Sequence, residues 1–143
     1  MNAISTEPQV TLYTDGACAG NPGPGGYAAI LVARDASGNI LKEREIVGGD
    51  AATTNNRMEM MAVIAGLQAL SRPSTVTVVS DSEYVINTMT KNWKRKKNKD
   101  LWAELDELCS IHTVTFDWTR GHAGHEYNER CDKLAVAQIA KYR

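Results

Sequence analysis

Residues 10–26 read VTLYTDGACAGNPGPGG, an apolar run that leads into a stretch dominated by glycine and proline. The pattern predicts a strand over 10–18 and a turn over 20–26. Tyr27–Arg34 and Ile40–Val47 have the composition of two further strands, separated by residues typical of a hairpin turn. Together the three strands predict an antiparallel meander.

The rest of the chain alternates between helical and strand patterns. Helices are predicted at Asn56–Arg72, Ser82–Thr90, Asp100–Leu108 and Asn128–Lys141, and strands at Val76–Ser80 and Val114–Trp118. This order predicts a mixed α/β fold with one five-stranded sheet, in which two parallel strands extend three antiparallel ones. Helices are expected on both faces of the sheet.

The length of 143 residues suits one domain, predicted to span 10–143 after a short disordered lead-in at Met1–Gln9. The longest apolar run, Tyr27–Ala33, is too short to cross a bilayer, so no membrane association is expected. Three cysteines without CxxC or Cys/His zinc spacing favour reduced thiols. The expectation is therefore a cytoplasmic protein.

Four acidic residues, Asp15, Glu59, Asp81 and Asp132, lie where predicted strands end or helices begin. Such positions meet at the crevice outside the carboxyl ends of the strands, where the strand order reverses. Clustered carboxylates repel one another and need a cation, and an oxygen-only ligand set favours Mg²⁺ or Mn²⁺. Taken singly, each acid also has a structural explanation, such as the capping-box-like spacing of Asn56 and Glu59.

The net charge of −1 conceals a basic segment, Lys91–Lys99, which holds six basic residues and no acid. Without those six charges the remaining chain would carry −7. Trp93 and Trp102 flank the run, and aromatic side chains among cations suit bases or sugars stacked beside bound phosphates. A polyanion-binding surface is predicted, and a solvated loop is the alternative.

Four ordered motifs resemble those of bacterial type 1 ribonuclease H, and the resemblance runs from about Val10 to the C-terminus. The motifs are 14–26 (TDGACAGNPGPGG), 53–62 (TTNNRMEMMA), 80–85 (SDSEYV) and 121–125 (GHAGH), the last running into 128–132 (NERCD). The resemblance implies the ribonuclease H fold and endonucleolytic cleavage of the RNA strand of RNA–DNA hybrids.

The resemblance also implies catalytic roles. The family's acidic tetrad falls on Asp15, Glu59, Asp81 and Asp132, which would hold two Mg²⁺ ions, with Mn²⁺ possible in their place. Its loop histidine falls on His122, which would shuttle a proton or assist product release. Hydrolysis of this kind leaves 5′-phosphate and 3′-hydroxyl ends.

Substrate choice requires contacts to the 2′-hydroxyl, the group that distinguishes RNA from DNA. The residues expected to bind the hybrid are Gly16, Cys18, Asn21, Thr54, Asn55, Asn56, Trp93, Lys94, Lys96 and Lys97. Asn56 is expected to combine this role with helix capping. The chain departs from the family in two places: its basic protrusion is truncated, and Ala52 stands near Thr54 where relatives often have a basic side chain.

Three alternatives remain open at this stage. The same fold serves nucleases that act on DNA, so the fold alone does not determine the substrate. A metal-independent ribonuclease could use His122 and His125 as an acid/base pair, and a non-catalytic module could bind nucleic acid through the basic segment. We expect structural roles for His112 and His125, and a monomer with no obligate protein partner.

Overall fold

The computed structural model describes residues 8–120 and 126–143. Its elements are β1 (Gln9–Cys18), β2 (Gly23–Arg34), β3 (Ile40–Thr53), α1 (Asn55–Gln68), β4 (Thr75–Ser80), α2 (Glu83–Lys91), α3 (Lys99–Ile111), β5 (Thr113–Trp118), α4 (Glu126–Ile139) and a 3₁₀ turn at Ala140–Tyr142. The strand order is β3-β2-β1-β4-β5. β1, β2 and β3 pair antiparallel, while β4 is parallel to β1 and β5. The predicted mixed sheet is confirmed.

Alternate side chains of the central strands form two cores. On one face Leu12 and Val78 pack with residues of α1 and α3, among them Ile64 and Leu105. On the other face α4 covers β1 and β2, with Cys131 and Ala135 packed against the apolar side chains of β2. Helices therefore cover both faces, as predicted.

The prediction of a turn over 20–26 is wrong for its second half, because 23–26 already belong to β2. Gly26 pairs with Ala17 in the β1–β2 register. A Cβ on Gly26 would lie only 2.2 Å from the backbone oxygen of Ala135 in α4. This glycine therefore serves close packing between the sheet and α4, and the reversal itself is confined to the residues before 23.

Several predicted boundaries also differ. β3 continues to Thr53, beyond the predicted end at Val47, since Thr53 pairs with Gly23 of β2. α1 ends at Gln68, and its N-cap is Thr54, whose hydroxyl accepts a hydrogen bond from the backbone N–H of Arg57 at 3.2 Å. The prediction that Asn56 caps the helix is therefore wrong.

The predicted lead-in ends one residue too late, because Gln9 is already part of β1; 1–7 lie outside the described residues. Cys18, Cys109 and Cys131 are free thiols, as predicted. Within the described ranges, no helix is both long and apolar enough to cross a membrane.

Candidate active site

Three carboxylates meet at the carboxyl ends of β1 and β4. Asp15 lies near the end of β1, Asp81 directly follows β4, and Glu59 lies in the second turn of α1. One oxygen from each lies within 4.8 Å of the others. These three residues are called the carboxylate cluster below, and their predicted convergence is confirmed.

Gly16 explains how Asp15 comes so close to α1. A Cβ at this position would lie 2.4 Å from the backbone nitrogen of Glu59, a distance that no side chain tolerates. The absence of a side chain therefore lets the end of β1 lie directly against the second turn of α1. The backbone N–H of Gly16 also donates to Asp15 Oδ1 at 2.9 Å, which orients that carboxylate.

Two members of the cluster, Asp15 and Glu59, are buried with little compensation of their charge among the described residues. Asp15 is 9% exposed and Glu59 6%. Glu59 Oε1 has no hydrogen-bond partner among the described residues, and within 8–120 and 126–143 no basic side chain forms an ion pair with Asp15 or Glu59. Burial would therefore penalise the charged form of both groups.

The pKa values follow from that environment. Burial, and then the charge of Asp81, raise the pKa of Asp15 to about 7. Burial, followed by the charges of Asp15 and Asp81, raises the pKa of Glu59 well above its usual value. Without a nearby cation, Asp15 therefore retains a proton close to neutral pH, and the charged form of Glu59 is disfavoured as well.

The same features fit a hard divalent cation. All the converging donors are carboxylate oxygens, the type of ligand preferred by Mg²⁺ and Mn²⁺ and not by softer metals. A cation placed among them would also satisfy the buried Glu59 oxygen and remove the repulsion that raises the pKa values. The carboxylate cluster is thus a suitable site for a divalent metal ion.

Asp132, the fourth predicted acid, lies beside the cluster but is not one of the three carboxylates within the 4.8 Å limit. It is exposed on α4, and its charge makes a smaller contribution to the raised pKa of Asp15. Its metal-binding role therefore stays a prediction.

Of the three histidines, His112 alone lies within the described residues. His122 and His125 lie outside the described residues, so their predicted roles stay predictions. His112 is buried, and its Nδ1 accepts a hydrogen bond from the backbone N–H of Ser74 at 3.1 Å. That contact agrees with the structural role expected for it.

The residues predicted to bind the RNA strand lie on one surface next to the cluster. Asn21 Oδ1 accepts a hydrogen bond from the backbone N–H of Asn55 at 3.1 Å, which ties the turn after β1 to the start of α1. Asn55 and Asn56 are exposed there. The Cys18 thiol donates to the backbone oxygens of Gly23 and Thr53, each at 3.4 Å.

Trp118 and Arg57 were not predicted from the sequence, and both form hydrogen bonds that connect separate elements of the fold. The indole N–H of Trp118 donates to the backbone oxygen of Asp81 at 3.2 Å. Its position at the end of β5, aligned with Ser80 in the parallel register, is a signal that could have identified it. Arg57 forms two hydrogen bonds to Asp100, at 3.0 and 2.8 Å. No sequence signal indicates that contact, which spans 43 positions.

The basic segment, Lys91–Lys99, begins in the last residue of α2 and ends in the first residue of α3. Trp93 is 47% exposed, and Lys94, Lys96 and Lys97 are also exposed. Arg95 differs because it is partly buried. The predicted nucleic-acid contacts are thus available at the surface.

The comparisons with known proteins agree with this geometry. The sequence model of the family described as RNase H matches residues 7–140. A Ribonuclease H of Jannaschia sp. (strain CCS1) is 53% identical, and the alignment covers 95% of this chain and 94% of that protein.

Two solved structures are also similar to this chain. LC9-RNase H1, described as a type 1 RNase H with the type 2 active-site motif, has a TM-score of 0.82 at 32% identity, covering 99% of this chain and 76% of that chain. LC11-RNase H1, solved in complex with an RNA/DNA hybrid, has a TM-score of 0.70 at 28% identity, covering 93% of this chain and 98% of that chain.

Proposed function

This chain belongs to the ribonuclease H family, and on that premise we propose that it cleaves the RNA strand of RNA–DNA hybrids with two bound Mg²⁺ ions, or Mn²⁺ in their place. It is a metal-dependent endoribonuclease. The observation that carries the proposal is the convergence of three carboxylates in the carboxylate cluster. Asp15 and Glu59, which are buried and form no ion pair with a basic side chain of the described ranges, are suited to an external cation.

Asp15, Glu59 and Asp81 would hold the ions, and Asp132 on α4 would be a further ligand. When bound, the two ions supply an activated water for in-line attack on phosphorus and neutralise the charge on the departing oxygen. Displacement of the 3′ oxygen leaves 5′-phosphate and 3′-hydroxyl ends. His122 is proposed to shuttle a proton or assist product release.

Neighbouring groups keep the cluster in position. The Gly16 N–H donates a hydrogen bond to Asp15 Oδ1, so the orientation of that carboxylate is set before an ion binds. The indole of Trp118 holds the backbone at Asp81. Such preorganisation lowers the cost of gathering ligands around an ion.

Hybrid recognition is proposed to use two surfaces. Asn21, Asn55, Asn56 and the backbone around Gly16–Cys18 would contact 2′-hydroxyls of the RNA strand, with Thr54 near a phosphate. The DNA strand would lie against Trp93, Lys94, Lys96 and Lys97. The similarity to LC11-RNase H1, which was solved in complex with an RNA/DNA hybrid, supports this choice of substrate.

The basic segment is proposed to be a shortened form of the family's protrusion. The alignment with the Jannaschia relative is 149 residues long, which exceeds the 143 residues of this chain. That relative therefore contains residues that this chain lacks, and their placement at the basic segment is part of the proposal. A shorter basic surface makes fewer phosphate contacts, so affinity for hybrids is expected to be lower and to fall less steeply as salt increases.

Cytoplasmic location and a monomeric state complete the proposal. Three free cysteines support a reducing compartment. The monomeric state stays a prediction.

The direct test uses labelled RNA–DNA, RNA–RNA and DNA–DNA duplexes with Mg²⁺, Mn²⁺ or a chelator, followed by mapping of the product ends. We expect cleavage of the hybrid alone, in its RNA strand, only with a divalent ion, and with 5′-phosphate ends. Cleavage of DNA–DNA would indicate a DNA nuclease. Activity in chelator with cyclic phosphate ends would indicate a metal-independent ribonuclease, and binding without any cleavage a non-catalytic module.

A further inference from the structure

The loop of the basic segment begins and ends at residues with a left-handed backbone conformation. Asn92, after α2, and Asn98, before α3, have positive φ angles of 57° and 59°. Asn98 is further fixed by its side chain, which donates to Tyr84 Oη at 3.1 Å and accepts from Arg57 at 3.2 Å. Trp102 donates to the same Tyr84 oxygen at 3.2 Å.

Arg95, in the middle of this loop, points inward. Its guanidinium lies 5.1 Å from the centre of the Trp102 ring and forms an ion pair with Asp106 of α3. Its Nη2 is also 3.6 Å from Met89 Sδ in α2. The loop is therefore attached through one side chain to both of the helices that it connects.

The lysines on either side of Arg95 have a different environment. Lys94, Lys96 and Lys97 are exposed, whereas the side chain of Arg95 is only 30% exposed. A phosphate approaching Arg95 would have to displace the carboxylate of Asp106 and the face of Trp102. A phosphate approaching the lysines meets no such competitor among the described residues.

We propose that Arg95 is a positioning residue: it anchors the basic segment to α2 and α3 and makes no phosphate contact itself. The anchored loop presents Trp93 and the three lysines as a preformed surface, so less conformational entropy is lost when the DNA strand binds. This inference rests on the proposed function and adds to it the residue that holds the DNA-binding loop in place. It matters most in a chain whose protrusion is short.

The first test measures KM and kcat for an RNA–DNA hybrid at salt concentrations from about 50 to 200 mM. The slope of log KM against log salt concentration, called the salt slope below, reflects the number of phosphate contacts. The variants are Arg95→Gln, Asp106→Asn and Lys96→Gln. Glu107→Gln is the matched control, because it removes the same charge from an exposed neighbouring position on α3 that forms no ion pair in the described ranges.

Arg95→Gln and Asp106→Asn should each raise KM about threefold to fivefold, as expected for a half-exposed ion pair and cation–π contact, with kcat and the salt slope unchanged. The double variant should be no worse than either single one, since both remove the same contact. Lys96→Gln should reduce the slope by about one. The sign of the Asp106→Asn effect is decisive, because loss of a negative charge near a phosphate-binding surface would otherwise tighten binding.

The proposal is overturned if Arg95→Gln reduces the salt slope by about one, or if Asp106→Asn lowers KM as Glu107→Gln does. Either result would make Arg95 a direct phosphate contact.

A second test needs no substrate. Limited trypsin digestion should cut Asp106→Asn after Lys94–Lys97 several times faster than Glu107→Gln, at equal thermal stability of the two proteins. Equal cutting rates would overturn the anchor, whatever the hybrid assays show. A wild-type protein that fails to cleave hybrids would instead overturn the proposed function, and with it the purpose assigned to the anchored surface.

Discussion

Two groups of acidic residues lie on neighbouring parts of this molecule and are treated in opposite ways. In the ion-pair cluster, formed by Glu43, Glu45, Tyr127 and Arg130, the guanidinium of Arg130 contacts Glu43 at 3.0 Å and Glu45 at 2.7 Å. Tyr127 Oη donates to Glu43 at 2.9 Å. In the carboxylate cluster, Asp15 and Glu59 have no such basic partner within the described ranges.

The electrostatic consequences are opposite as well. Hydrogen bonds from Arg130, and then from Tyr127, lower the pKa of Glu43, whereas burial raises the pKa of Asp15 to about 7. The first cluster fastens α4 to β3 and carries its own cation. In the second, Asp15 and Glu59 are buried and form no ion pair with a basic side chain of the described ranges. The acids of the ion-pair cluster are neutralised by Arg130 and stabilise the fold. The converging oxygens of the carboxylate cluster are suited to binding an external ion.

The largest effect expected from breaking this contrast is that of Asp15→Asn. The change preserves shape and removes one cluster charge, so cleavage of a hybrid at saturating substrate should fall by at least about 1,000-fold. Steady-state assays with a labelled RNA strand measure it.

Glu43→Gln is the matched control, since it neutralises a carboxylate of the ion-pair cluster. It should leave the rate within about twofold, as expected of a surface change outside the carboxylate cluster. A tenfold or smaller loss in Asp15→Asn would contradict the assignment of the site.

The second prediction concerns the metal-free protein and pH. Asp15 binds a proton more tightly in the folded protein, where its pKa is about 7, than in the unfolded chain, where it is near 3.8. The contribution of Asp15 to stability therefore falls as pH rises from about 4 to about 7 and falls no further above that range. The loss has an upper bound of about 4 kcal/mol, since one pKa unit corresponds to about 1.4 kcal/mol.

Urea unfolding in chelator across this pH range measures the loss, and Asp15→Asn should remove most of it. The ion-pair cluster responds in the opposite direction, because the lowered pKa of Glu43 contributes stability above its unfolded value of 4.5 that disappears as pH falls. If the metal-free wild type gained stability between pH 5 and 7 and Asp15→Asn behaved identically, ionisation of Asp15 would not destabilise the folded protein.

The smallest effect is expected from Arg130→Gln, which removes the cation of the ion-pair cluster and leaves Glu43 and Glu45 without this basic partner. Because these side chains are partly exposed, the cost should be about 1 kcal/mol in the free energy of unfolding, with cleavage activity nearly unchanged. Arg72→Gln, at an exposed arginine that forms no ion pair in the described ranges, is the control. A severe loss of activity at normal stability would mean that Arg130 belongs to the catalytic machinery.

The five-stranded mixed sheet and the meeting of Asp15, Glu59 and Asp81 could be predicted from sequence, because strand ends in a mixed sheet converge by topology. The turn over 20–26 was placed too broadly because glycine has two uses. Local composition does not distinguish a glycine that reverses the chain from one, such as Gly26, that admits a neighbouring helix.

Contacts between distant residues were also beyond sequence reasoning. Thr54 and Asn56 are both competent caps, and only the path of β3 into α1 decides between them. Arg95 belongs to a uniform run of basic residues, and nothing in that run indicates which side chain turns inward to meet Asp106. Such choices depend on the packing of α2 and α3, which local patterns do not encode.

The most direct test of the carboxylate cluster as a metal site is a titration of the isotope-labelled protein with Mn²⁺, followed by amide NMR spectra. A paramagnetic ion broadens the resonances nearest to it, so Gly16, Glu59 and Ser82 should lose intensity first, and Asp15→Asn should abolish the effect. Glu43, Glu45 and Arg130 should stay sharp at the same ion concentration. Broadening that began at the ion-pair cluster, or that was unchanged in Asp15→Asn, would contradict the account.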